Sequence, residues 1–251
     1  MIVENSKFAE RPIRIVLVGT SHPGNVGAVA RAMKTMCLSQ LVLVRPRQFP
    51  HADATAMASG ADDVLMNARL CDSLEDAVAD CSLCFGASAR LRSLPWPLES
   101  PRAAARKILN ESASHPVALV FGRERSGLTN DELALCHALV HIPANPDYSS
   151  LNLAMAVQIL CYELLMLSRD SVAATTMTQP AEAPANAEQM NYFYQHLQKV
   201  MISTEFLDPD APRHLMRRIR RIFGRARPDQ TELNILRGIL SAVEKHGNKS
   251  E

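Results

Sequence analysis

A chain of 251 residues, 47% of them hydrophobic, can bury a full-sized core and still supply a second, smaller unit. The opening MIVENSKFAERP joins no basic segment to an apolar one, and no run of about 18 apolar residues is free of charge, so a cytoplasmic protein outside the membrane is expected. The net charge of +1 conceals an asymmetry: residues 1–167 carry 15 Lys/Arg against 16 Asp/Glu, whereas residues 188–251 carry 11 against 8.

Six cysteines scattered among apolar segments read as reduced core residues rather than a disulfide framework. Cys81 and Cys84 form a C-x-x-C, yet no second pair and no histidine stands at zinc spacing, so no metal is expected.

In chain order, IRIVLVG (13–19) is a β-branched apolar run that ends in glycine and leads through a polar loop into a helical pattern. In that helix Val26, Val29, Ala30, Met33 and Cys37 recur at helical spacing, which places Gly27, Arg31 and Lys34 on another face. Strand-like runs return at 41–46, 81–88, 117–122 and 138–144, with helical segments between most of them. The pattern predicts an α/β fold with a mostly parallel sheet covered by helices on both faces. SSLNLAMAVQILCYELLMLS (149–168) reads as a capped helix apolar almost all round, suited to the core and to a subunit interface.

Residues 170–187 are rich in Ala, Thr and Pro, which sets a flexible linker over 168–187 between a first domain (1–167) and a second (188–251). The second carries three amphipathic helical patterns, marked by Met190, Phe193, Leu197 and Val200, by Leu215, Ile219, Ile222 and Phe223, and by Leu233, Leu236, Leu240 and Val243. A small all-α domain is predicted there. Seven arginines and no acid lie between Arg213 and Arg227, and Arg217, Arg218, Arg221 and Arg225 share one side of the second helix. An acid-free basic face suits a phosphate backbone.

Ligands of open parallel sheets lie beyond the carboxyl ends of the strands. Four loops there mix small and polar residues: GTSHPGNVG (19–27), ASARLR (87–92), GRERSG (122–127) and IPANPDYSSLN (142–152). Together they predict a small-molecule pocket. The chain has no phosphate-loop signature, no G-x-G-x-x-G after its first strand and no G-x-S-x-G elbow, which lowers NTPase, dinucleotide and serine-hydrolase readings. His22 and His137 read as surface or loop histidines.

NVGAVARAMK (25–34), VFGRERSGLT (120–129) and IPANPDYSSLNLAMAV (142–157) resemble, in order and spacing, the three motifs of the SPOUT 2'-O-ribose methyltransferases. GASARLRSLPWP (86–97) and ARPDQTELNILRGIL (226–240) are similar to the TrmJ group of that class. The resemblance covers roughly residues 13–167 and extends into the tail. It implies a C-terminal trefoil knot in the sheet, a homodimer, S-adenosylmethionine as cofactor, and methylation of the 2'-hydroxyl of tRNA nucleotide 32, a cytidine or uridine. Another tRNA site or ribosomal RNA is the alternative substrate, and a non-catalytic RNA-binding protein on the same fold is the alternative class.

Carried over by motif, the cofactor contacts are Ala87, Ser88, Ala89, Gly122, Ile142, Ser149, Ser150 and Leu151. The catalytic group is Arg31, Asn25, Glu124, Ser150 and Asn152, and the RNA-binding group Arg217, Arg218, Arg221 and Arg225. Gly19 departs from the pattern, since some relatives have a glutamate there. Arg31 is a poor base, because a guanidinium stays protonated, and orienting the phosphate and hydroxyl is the role favoured for it over base action. Glu124 either orients Arg31 or pairs with Arg123 or Arg125. Ser150 and Asn152 also suit a helix cap.

Overall fold

The computed structural model describes residues 8–89, 96–170, 184–210 and 214–247. The chain divides into two compact units, Met1–Thr178 and Gln179–Glu251.

The first unit is built on seven strands: β1 (Ile13–Val18), β2 (Gln40–Val44), β3 (Arg69–Cys71), β4 (Leu83–Ala87), β5 (Leu98–Glu99), β6 (Val117–Phe121) and β7 (Ala138–Val140). They form one sheet in the order β3-β2-β1-β6-β4-β7-β5, and every pairing is parallel. Parallel strands require crossovers, and here helices supply most of them. These are α1 (Pro23–Thr35), α2 (Ala52–Ala58), α3 (Asp62–Met66), α4 (Leu74–Val78), α5 (Pro101–Glu111), α6 (Asn130–Ala134) and α7 (Leu153–Asp170).

Both faces of the sheet are buried, as the near-continuous apolar strands require. Ile13, Ile15 and Leu17 of β1, with Val117, Leu119 and Phe121 of β6, enter one core with Val29 and Met33 of α1, Ile108 of α5 and Val157 and Leu160 of α7. Val16 and Val18 of β1 and Val120 of β6 alternate to the other face and are also buried. There Gly86 of β4 lies against Cys136, Leu128 and Leu133, so the α6 region covers that side. Full burial of each such aliphatic side chain contributes roughly 1.5–3 kcal/mol. α1 and α2 pack so closely that a Cβ at Gly27 would lie 1.9 Å from the Ala54 carbonyl oxygen.

The six cysteines are free thiols. Burial pushes Cys136 and Cys161 up to about 12, which keeps both protonated and inert. Among the described residues no cluster of His, Cys, Asp and Glu could hold a metal, and no helix is long and apolar enough to cross a membrane.

Several boundaries differ from the expectation, among them the strand expected at 138–144, which ends at Val140. The edge strands β3 and β5 are too short to stand out in the sequence. α7 begins at Leu153 rather than Ser149, because Asn152 accepts from the Ala154 N–H (2.9 Å) and starts the helix there. It also runs on to Asp170, whose carboxylate faces Arg102 at 3.6 Å, so Ser168–Asp170 are helix and not linker. At the other end of the expected linker, Pro184 bridges to Asp229, Ala185 is buried, and Asn186 caps the next helix. Residues 171–183 lie outside the described residues.

The second unit holds α8 (Ala187–Ser203), α9 (Leu215–Ala226) and α10 (Gln230–Gly247). A capping box between Asn186 and Gln189 opens α8. Its core gathers Met190, Phe193, Tyr194, Val200, Leu233 and Leu240, with Leu197, Met216, Ile219, Phe223 and Leu236 packed against them. Phe193 and Phe223 meet edge to face at 4.8 Å, and the Arg220 guanidinium lies over the Tyr194 ring at 4.5 Å. Ile222 and Val243, expected on the core side, are 50% and 39% exposed. The partly buried stripe of α9 is centred on Met216, Ile219 and Phe223, which leaves Ile222 at its solvent edge.

Candidate active site

Ligands of open parallel sheets lie beyond the carboxyl ends of the strands, and β6, β4 and β7 are adjacent in this sheet. The register aligns Leu17 with Phe121, Gly86 with Val120, and Ala87 with Val140, so the segments after β4, β6 and β7 leave the sheet side by side. They enclose a cavity of about 220 Å3.

Ala87, Ser88, Ala89, Gly122, Ile142, Ser149, Ser150 and Leu151 all lie in its wall. Phe121, Leu128, Val140, Leu153 and Ala156 add apolar surface, and Glu124, Arg125 and Ser126 add polar groups. The wall is fixed by local bonds. Ser88 N–H donates to Val140 O (3.0 Å), which ties the β4 exit to β7. Arg123 and Gly127 exchange backbone hydrogen bonds (3.3 and 2.8 Å), which closes the loop after β6 into a tight turn with Gly127 at φ +68°. A Cβ at Gly122 would lie 2.1 Å from Gly127 C and 2.2 Å from Leu128 N. Glycine is therefore required there by the turn's own backbone, a different reason from ligand approach.

Arg123 reaches out of this turn to Glu132 in a bidentate pair (3.0 and 3.1 Å), while Glu132 also accepts from Thr129 N–H (2.7 Å) in the capping box of α6. Its guanidinium covers Gly19, which has φ +60° and whose Cβ would lie 2.8 Å from Arg123 Nε. That explains the glycine at the end of β1: a left-handed residue without a side chain fits under Arg123.

Glu124, the next residue, does neither of the two things expected of it. Its carboxylate accepts from Ser21 N–H (3.1 Å), His22 N–H (3.3 Å) and Asn25 Nδ2 (2.9 Å), at the N-terminus of α1. Burial alone would push the Glu124 carboxyl up, but the bonds from Asn25 and from the backbone outweigh it and hold it below the ordinary glutamate range. The helix terminus favours the same charge. Asn25 Oδ1 in turn accepts from Asn152 Nδ2 at 3.3 Å. The structure thus brings Asn25, Glu124 and Asn152 into one network on the rim of the cavity. Ser150 lies in the cavity wall, close in sequence to Asn152.

Arg31 does not join them. It is exposed on α1, six residues past Asn25 and so about 120° around the helix and about 9 Å along it. Among the described residues it makes no hydrogen bond or ion pair. His22 is an exposed residue at the start of α1, as expected. His137 is half-buried, its Nδ1 accepts from Cys84 N–H (3.1 Å), and it stitches β4 to β7 rather than facing solvent. Of the loop at 19–27, no residue lines the cavity, and its contribution is the set of donors that holds Glu124. Arg90 and Arg92 of the second loop lie outside the described residues. Sequence reasoning singled out Gly122 and Glu124 but passed over Arg123, whose signal was the acidic residue nine positions on, in the N3 position of a capping box.

In the second unit Arg218 and Arg225 are exposed, while Arg217 and Arg221 are half-buried and each has an interaction partner.

The sequence and the fold are those of a class of proteins. The family model described as SpoU rRNA Methylase matches residues 12–162, and one described as the C-terminal domain of the tRNA methyltransferase TrmJ matches residues 188–251. The chain is 54% identical to the tRNA (cytidine/uridine-2'-O-)-methyltransferase TrmJ of Sodalis glossinidius, over 95% of this chain and 93% of that one. With the protein of the same name from Escherichia coli K12 it shares 51% identity, over 95% and 98%. The crystal structure of TrmJ from Z. mobilis superimposes with a TM-score of 0.81 at 33% identity, covering 92% of this chain and 98% of that one. The chain belongs to the SpoU methylase family, and within it to the TrmJ proteins.

Proposed function

We propose that this protein methylates the 2'-hydroxyl of a cytidine or uridine at tRNA nucleotide 32, with S-adenosylmethionine as methyl donor. The observation that carries the reading is the cavity itself: eight residues expected from motif alone to touch the cofactor share one wall at the carboxyl edge of a parallel sheet.

The wall fits the cofactor by its chemistry. Apolar side chains such as Ile142, Leu151 and Leu128 suit an adenine ring, the small residues Ala87, Ser88 and Ala89 permit close backbone approach, and the anionic Glu124 lies on the rim of a site that takes a cation. When bound, S-adenosylmethionine supplies a sulfonium-activated methyl group.

The protein's own task is then alignment of the ribose oxygen, which counts for more than forceful proton removal. The network of Glu124, Asn25 and Asn152 holds two amide groups in fixed orientation beside the cavity. Arg31, charged and without a partner among the described residues, orients the RNA phosphate and the 2'-hydroxyl. Arg218 and Arg225 of α9 attract the tRNA backbone.

The reading includes a homodimer. Met155 and Tyr162 of α7 are 62% and 48% exposed, and with the partly exposed Ile159 they form an apolar stripe that a second copy would cover. It also includes a trefoil knot among the segments that line the cavity, two domains joined by a linker, and a cytoplasmic location. The activity is tested by incubating unmodified tRNA with the protein, with and without S-adenosylmethionine, and mapping any new methyl group.

A further inference from the structure

We infer that Arg45 and Arg47, in the turn after β2, form a phosphate clamp that holds the RNA backbone against the catalytic unit. The inference rests on the proposed function and adds a second binding point to it, on the unit whose average charge gives no hint of one.

That average hides a segment. Between Glu10 and Asp53 the chain has no acidic residue but six basic ones: Arg11, Arg14, Arg31, Lys34, Arg45 and Arg47. Three of these are used inside the fold. Arg11 donates to the Leu109 carbonyl and to Ser112 Oγ (3.2 Å), Arg14 pairs with Asp80, and Lys34 pairs with Asp63 at 2.7 Å. Arg31, Arg45 and Arg47 remain exposed, and among the described residues their side chains make no hydrogen bond or ion pair.

The turn that carries Arg45 and Arg47 is firmly held. Arg45 N–H donates to Cys71 O (3.1 Å), Arg47 N–H donates to Thr20 O (3.0 Å), and Gly19 N–H donates to Val44 O (2.8 Å). Pro46 between them fixes one more dihedral. Arg45 itself sits at φ +45°, a left-handed conformation that costs a non-glycine residue on the order of 1–3 kcal/mol and persists only where the surroundings impose it.

Its place is equally defined. Thr20, which accepts from Arg47, is followed by Ser21, whose N–H donates to Glu124. Two arginines on a pre-ordered backbone, a few residues from the catalytic network, present planar forks that match phosphate oxygens with little backbone entropy left to lose on binding.

The test is a titration of tRNA against the full-length protein across a salt series. Each phosphate contact contributes about 0.7–0.9 to the log-log salt slope. R45Q/R47Q should make the slope shallower by about 1.5 and weaken low-salt binding roughly tenfold or more. R45K/R47K should restore the slope, R106Q on the exposed face of α5 should leave it unchanged, and S-adenosylmethionine affinity, which reports an intact fold, should be the same in all. An R45Q/R47Q slope equal to that of a tRNA-binding wild type overturns the clamp alone, and an acidic protein partner for this turn then becomes the reading to pursue. A wild type that binds no tRNA overturns the proposed function and the clamp with it.

Discussion

Asn25 donates its amide hydrogen to Glu124 Oε1 across 2.9 Å and accepts at its own Oδ1 from Asn152 at 3.3 Å. One asparagine thereby links the turn after β6, the first turn of α1 and the start of α7, three segments more than a hundred residues apart at their extremes.

Glu124→Gln should expose what that link is worth. The change replaces an acceptor oxygen with an amide donor that faces the N–H groups of Ser21 and His22. A half-exposed charged acceptor of this kind is worth about 1 kcal/mol. Because the folded carboxyl is held below its ordinary range, its contribution is complete above the ordinary glutamate pKa and is lost as pH falls through the folded value. Thermal melts should therefore show wild type and variant converging in acid, and a constant gap from neutral to acid pH would contradict this electrostatic account.

Arg31→Ala should abolish methyl transfer while S-adenosylmethionine affinity stays within a few fold, since Arg31 lies outside the cavity wall. Calorimetry and a single-turnover assay read the two effects separately. Substantial turnover in the variant would remove Arg31 from the mechanism.

At Gly122 the backbone of residues 127 and 128 leaves no room for even a methyl group. Both Gly122→Ala and Gly122→Val should open the turn, abolish cofactor binding and lower stability by about 1–3 kcal/mol. Normal cofactor affinity in the alanine variant would mean that the cavity is not the cofactor site.

The arginines of α9 should separate by burial. R218Q/R225Q should flatten the salt dependence of tRNA binding by about 1.5 in slope at unchanged stability. R217Q/R221Q should in addition lower the melting temperature, because those side chains are half-buried and each has an interaction partner. Truncation belongs after Asp170, not after Leu167, since the earlier cut removes the last helical residues of α7. The shortened form should keep cofactor affinity and lose most tRNA affinity.

Much of the first unit was legible because parallel strands buried on both faces are long apolar runs, and the loops after them are small and polar. The eight cavity residues were found through motif resemblance, and the strands pointed only to the edge. What the sequence concealed were relationships between distant segments. Glu124 has two arginines as immediate neighbours, yet its partners are Ser21, His22 and Asn25, brought close by the pairing of β1 with β6. Gly19 departs from the pattern of some relatives, and what makes glycine fit there is the Arg123 side chain lying over it, a contact between segments about a hundred residues apart. In α9, four arginines share a side by helical spacing, but their exposure is a tertiary property, and it divides them into two exposed and two half-buried.

The central claim is tested most directly by mass mapping of nuclease fragments of unmodified tRNA after incubation with the protein and S-adenosylmethionine. The account predicts one added methyl, on the ribose of nucleotide 32, absent without the cofactor and absent with Arg31→Ala. A methyl on a base, a methyl at another nucleotide, or no methyl from a protein that binds the cofactor would contradict it.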